Sequence, residues 1–166
     1  MKAATFRRAG GFTMVELVVV MVLIGVVAAI GVPRLMGDNT MAAAAFGDEV
    51  VSALRTAQKS AVARRRVVCA TVGGTSVALS MSPNSVQPNC TTPLTAETYS
   101  TSASGVTATM TPSTLFFQPN GMITSDIAGR TLVSGTALIR LGAGTGARTS
   151  RTIEFTGTTG YVQVVQ

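Results

Sequence analysis

Glu16 is the sole charged residue in the apolar run Phe12–Val32, FTMVELVVVMVLIGVVAAIGV. An ionised carboxylate in hydrocarbon costs about 2.5–3.5 kcal/mol on insertion scales, so such a group either takes a proton or seeks a cation. Its own chain supplies that cation only if a nearby cut frees a backbone amine. Two cysteines, Cys69 and Cys90, offer thiol chemistry. Arg148 and Arg151 stand in a Gly/Ser/Thr-rich stretch, and Arg55, Lys59 and Arg64-Arg65-Arg66 form a second basic group. Guanidinium and ammonium groups of this kind suit phosphate. Other chemistry is excluded. With no histidine the chain lacks the commonest general base and transition-metal ligand, so no Ser-His-Asp or Cys-His triad exists. Two cysteines without histidine do not close a four-ligand zinc site. The seven acidic residues are scattered. The composition is that of neither a hydrolase nor a metalloenzyme, and no metal or cofactor is expected.

The elements that hold these residues follow from the pattern. At 166 residues the chain suits one ordinary domain plus an apolar segment. As a helix the Phe12–Val32 run would measure roughly 31 Å, matching a hydrocarbon core of about 30 Å. A buried core helix is the alternative. Lys2, Arg7 and Arg8 precede the run, which places the N-terminus in the cytoplasm and the bulk of the chain outside. A secretory signal would be shorter and end in a small-residue cleavage site, whereas here Pro33 and Arg34 follow.

Gly10-Gly11-Phe12-Thr13-Met14-Val15-Glu16, behind a short basic leader, resembles the class III signal of type IV prepilins. The resemblance implies that a membrane prepilin peptidase cuts between Gly11 and Phe12 and that Phe12 becomes N-methylphenylalanine. Glu16 then holds the family's glutamate position, and Gly25 and Pro33 match its helix-weakening glycine and proline. Cleavage leaves an ammonium at Phe12, about one helical turn from Glu16. Between subunits, Glu16 of an incoming chain can meet the Phe12 amine of one already assembled. A misplaced subunit would leave a charge unpaired, so the pair sets register.

Beyond Pro33 a helical period resumes. Ala43, Phe46, Val50, Ala53, Leu54, Ala57 and Ala61 share one face, with Asp48, Ser52, Arg55 and Lys59 opposite. The helix should bend near Pro33 and end near Arg64-Arg65-Arg66, about 80 Å from Phe12 if continuous. After Arg66, alternating stretches predict strands at 67–72, 76–81, 105–110, 114–118, 137–141, 152–156 and 161–165. Asn120-Gly121 signals a turn, the Gly142–Gly146 string a hairpin loop, and Pro83–Thr98 an irregular connection. The fold class is α+β: a long N-terminal helix packed on an antiparallel β-sheet head. The divisions are a leader, 1–11; a transmembrane helix half, 12–33; an amphipathic half, 34–66; and a periplasmic head, 67–166.

The head is similar to minor pilins of the FimT-like and FimU-like group and the H-type pseudopilin of type II secretion. Val67-Val68-Cys69, Leu115–Gly121 and the closing Arg151–Val165 hairpin carry that similarity, and the Ala45–Cys69 run also resembles minor pilins of mannose-sensitive haemagglutinin systems. The expected function is that of a minor pilin of a type IV pilus, priming or capping a filament. A type II secretion pseudopilin and a DNA-binding uptake pilin are alternatives. Expected partners are other pilins or pseudopilins, the prepilin peptidase and inner-membrane lipid.

Outside the cytoplasmic membrane an even cysteine count points to a Cys69–Cys90 disulfide, with two buried thiols as the alternative. The net charge is +6, and loss of the three leader cations leaves ten basic against seven acidic side chains. The remaining cations are either a solvated helix end, suited to the helix dipole, or nucleic-acid contacts. FimT-like uptake pilins carry a C-terminal Gly-Arg-x-Arg element, where this chain has Gly160-Tyr161-Val162-Gln163. Arg148 and Arg151 are the substitutes it offers.

Overall fold

The computed structural model describes residues 13–37, 39–84, 89–94, 99–142 and 146–165, with the side chains of 30–37 outside that description. The chain forms two compact units, Met1–Asp38 and Asn39–Gln166.

In the first unit, helix α1 spans Met14–Gly37. Gly25 lies within it, whereas Pro33, with the expected bend, falls where side chains are not described. The helical sequence forms two elements in place of one continuous helix, since α2 spans Thr40–Arg64. Gly37 closes α1 and Asn39 precedes α2: glycine and asparagine favour helix ends over helix interiors. Asn39 is turned away from capping, its Nδ2 donating to the Ser104 carbonyl at 2.7 Å.

In the second unit, α2 buries the face that its period announces. Ala43, Phe46, Val50, Ala53, Leu54, Ala57 and Ala61 are all buried, joined by Gly47 and Val51. The helix stops where Arg65 adopts a left-handed conformation, φ 52°. The Arg66 N–H then reaches back to the Ala61 carbonyl at 3.2 Å, satisfying a terminal acceptor.

Among the described residues ten strands follow: β1 Val68–Gly73, β2 Ser76–Met81, β3 Thr92–Pro93, β4 Tyr99–Ser100, β5 Val106–Met110, β6 Thr114–Phe117, β7 Ile123–Thr124, β8 Gly135–Leu141, β9 Arg148–Thr156 and β10 Tyr161–Val164. All pairings are antiparallel. One sheet has the order β3-β2-β1-β6-β7, with β4 also on β2, and the other the order β10-β9-β8-β5. The expected strands all appear. The additions are β3, β4 and β7, of two residues each. The Asn120-Gly121 turn links β6 to β7, with Gly121 at φ 86°.

Main-chain hydrogen bonds join the two sheets. Ala108 on β5 donates to the Gly74 carbonyl in the β1–β2 turn at 2.6 Å, and Ile123 on β7 donates to the Gly157 carbonyl after β9 at 2.8 Å. Helix α2 packs on strands of both sheets. Val68, Ala70, Val72, Leu115 and Phe117 from one sheet, and Val106, Ile139, Ile153 and Phe155 from the other, close one core with it.

Candidate functional site

Gly11 and Phe12, the expected cleavage pair, lie outside the described residues. Helix α1 begins immediately after them. Thr13 caps it: its Oγ1 accepts a hydrogen bond from the Glu16 N–H at 3.2 Å, and its carbonyl accepts from Leu17 at 3.2 Å. Thr-x-x-Glu is the spacing of a capping box, in which a hydroxyl serves an unpaired first-turn amide and an acid stands at the third helical position. The Thr13-x-x-Glu16 spacing is visible in the sequence and gives Glu16 a local role beside that of an ion-pair partner. Glu16 therefore sits in the first turn, where the helix dipole favours a negative charge.

From Leu17 to Ala29 the helix is apolar on every side and uncovered. All described side chains from Thr13 to Ala29 are exposed, including Val15, Leu17, Leu23, Ile24 and Val27. A helix apolar all round belongs in lipid or inside a larger assembly. Among the described residues no helix is long and apolar enough to cross a membrane. The described side chains of the run stop at Ala29, so Phe12 and residues 30–33 of the sequence-predicted span lie outside them.

The cationic candidates are dispersed. Arg151 forms an ion pair with Asp48 on α2, Nη1 to Oδ1 at 2.7 Å. Its side chain crosses α2 at Gly47, where an added Cβ would stand 3.0 Å from Arg151 Cδ. Arg148 is exposed at the start of β9, opposite Leu141. The structure thus turns Arg151 onto its own helix, while Arg148 stays exposed. Three further arginines serve main-chain carbonyls: Arg55 that of Val162, Arg66 that of Pro83 and Arg140 that of Ala147. Lys59, Arg64 and Arg65 remain exposed.

Cys69 and Cys90 form a disulfide with Cα atoms 6.0 Å apart. Cys69 is buried on β1, between Ser80 of β2 and Phe116 of β6. The bridge fastens the connection that follows β2 to the centre of its sheet. Towards the C-terminal end of α2, Gln58 Nε2 donates to the Gly121 carbonyl at 3.3 Å and to the Thr159 carbonyl at 3.1 Å. One amide so joins the β6–β7 turn of one sheet to the β9–β10 turn of the other.

A family model described as the prokaryotic N-terminal methylation motif matches residues 6–32. No curated protein matches the chain. Among solved structures the chain is similar to the type IV minor pilin FimU of Pseudomonas aeruginosa in two crystal forms. In space group P21 the identity is 18%, over 74% of this chain and 87% of that one, with a TM-score of 0.53. In space group P65 the identity is 17%, over 74% and 91%, with a TM-score of 0.51. The chain thus joins a match to the N-terminal methylation motif over residues 6–32 with a fold similar to that of the minor pilin FimU.

Proposed function

We propose that this protein is a minor pilin, a structural subunit that joins other pilins at the priming or tip end of a type IV pilus. On this reading prepilin peptidase cuts between Gly11 and Phe12 and methylates Phe12. The protein is held in the inner membrane by one N-terminal span, residues 12–33, with its head in the periplasm, until it enters the filament. The observation that carries the reading is the capped, uncovered apolar start of α1, with Glu16 as its one acid.

The physical sequence is direct. A cut after Gly11 creates an ammonium one residue before the Thr13 cap, beside the positive end of the helix dipole. Glu16 in the first turn offsets both, within the chain or toward a neighbour. The exposed apolar faces downstream exchange lipid for neighbouring helices as the subunit leaves the bilayer. Gly25 and Pro33 lower helix stability in that segment. The protein is a substrate of an enzyme and a building block, with no catalytic residues of its own.

Gly11→Ala tests the cut: mass spectrometry of the membrane fraction should find the leader retained, and a mature mass identical to native would refute the assignment. Glu16→Ala tests the pairing. That variant should be cleaved and membrane-bound yet depleted from sheared filaments, and native incorporation would remove the role given to Glu16. A type II secretion pseudopilin would use the same N-terminal devices. The chains recovered with the native protein, pilus or secretion components, separate these two assignments.

A further inference from the structure

The second sheet ends at β10, and the outer edge of that strand runs beside α2. Val165 donates to the Thr152 carbonyl at 2.7 Å. With the Gln163–Glu154 and Tyr161–Thr156 register, this sets the direction of every main-chain group in the strand. Residues 161, 163 and 165 turn theirs toward β9, while Val162 and Val164 turn theirs outward. Arg55 confirms the alternation, donating from Nε at 3.2 Å and Nη2 at 2.8 Å to the outward Val162 carbonyl. The Val162 N–H and both main-chain groups of Val164 have no hydrogen-bond partner among the described residues.

Between this edge and α2 lies a groove of ≈ 410 Å³. Val51 and Val164 give it apolar patches, and Arg55 and Lys59 give it positive charge. Its one acid, Asp48, is already held by Arg151. The groove therefore combines a strand edge open at the Val162 N–H and at Val164, apolar contacts, and cations with no acidic partner among the described residues.

We propose that this edge accepts an extended, acidic segment of a different filament subunit as an added strand. Its backbone pairs with the Val162 N–H and both main-chain groups of Val164, while its carboxylates meet Lys59 and the positive charge of Arg55, which stays on the Val162 carbonyl. Strand addition takes affinity from main-chain hydrogen bonds and selectivity from alternate side chains. A second copy of this chain is disfavoured as the occupant, because pairing β10 with β10 brings two sets of the same cations together. The proposal rests on the filament-subunit reading for the origin of the partner, and the binding chemistry is testable without it.

The test uses the full chain in detergent and a short fluorescent peptide alternating valine and glutamate. Saturable binding by fluorescence anisotropy is expected. Affinity should fall at least about tenfold, or 1.4 kcal/mol, when lysine replaces glutamate or when every second peptide nitrogen is methylated. Lys59→Glu should reverse the charge preference. Val164→Pro should abolish binding with little change in thermal midpoint, since proline at an outward edge position removes no ladder bond. Absence of binding, equal binding of the lysine peptide, or unchanged binding by Val164→Pro would overturn the proposal. In cells Val164→Pro should be processed and membrane-bound but depleted from filaments. Native incorporation of that variant would end the proposal while leaving the filament-subunit reading intact. That reading falls instead on the outcome of the Glu16 and Gly11 variants.

Discussion

At Gly160 the backbone turns through φ +67°, with no room for a side chain: an added Cβ would overlap Gln58 Nε2 and the Gly121 carbonyl. A left-handed conformation alone costs a non-glycine residue roughly 1–2 kcal/mol, and the overlap adds displacement of Gln58 from both its acceptors. Gly160→Ala should lower the thermal midpoint, measured by circular dichroism, well beyond Gly73→Ala, whose Cβ would meet nothing within 4 Å. Asp126 makes a different local device. The backbone N–H of Arg130, then that of Thr131, donates to its carboxylate and lowers its pKa from 3.8. A depressed folded pKa contributes stability that is present above the unfolded value and is lost as pH falls through the folded one. Asp126→Asn should therefore be less stable than native at pH 6, with the gap closing below about pH 4, as urea unfolding at each pH would register. Asn120-Gly121 declared its turn in sequence, because that dipeptide satisfies a left-handed conformation locally. The Asp48–Arg151 pair did not, because its members stand 103 positions apart and meet only once β9 lies under α2.

Helix α2 carries the head's packing through one face. Leu54 is fully buried on that face, so Leu54→Ala should cost about 2–5 kcal/mol through lost burial and a cavity. Asp48→Ala, which removes a surface ion pair with the two side chains 30% and 65% exposed, should cost less than about 1 kcal/mol. Urea midpoints of the two variants should rank in that order. This face was legible because a 3.6-residue period repeats over the whole helix. The long strands were legible for the same kind of reason, through alternation. By contrast β3, β4 and β7 have only two residues each, too few to show a period, and they exist because a neighbouring strand offers a free edge. The early start of β9 at Arg148 likewise depends on β8, with which it stays paired past an irregularity at Ile139/Arg140. The two-helix division at Gly37–Asn39 had its signals in plain view, as did the Thr13 cap. Both were overshadowed by the proline and by the charge of Glu16.

For the whole molecule, the Cys69–Cys90 bridge closes a separation of 21 residues. In the chain-entropy model a loop of that size contributes about 3 kcal/mol by restricting the unfolded chain. Reduction, or paired Cys69→Ser and Cys90→Ser substitution, should lower unfolding stability by about that amount. Intact-mass alkylation should label neither cysteine before reductant is added and both afterwards. An even cysteine count and the extracytoplasmic position expected from the basic leader carried that inference. Which strands the bridge would flank was not readable, since β6 lies beside β1 only in the folded sheet. The amide of Gln58 has a mechanical consequence. It holds hairpins from both sheets, so a pull along α2 would reach both sheets through this one side chain.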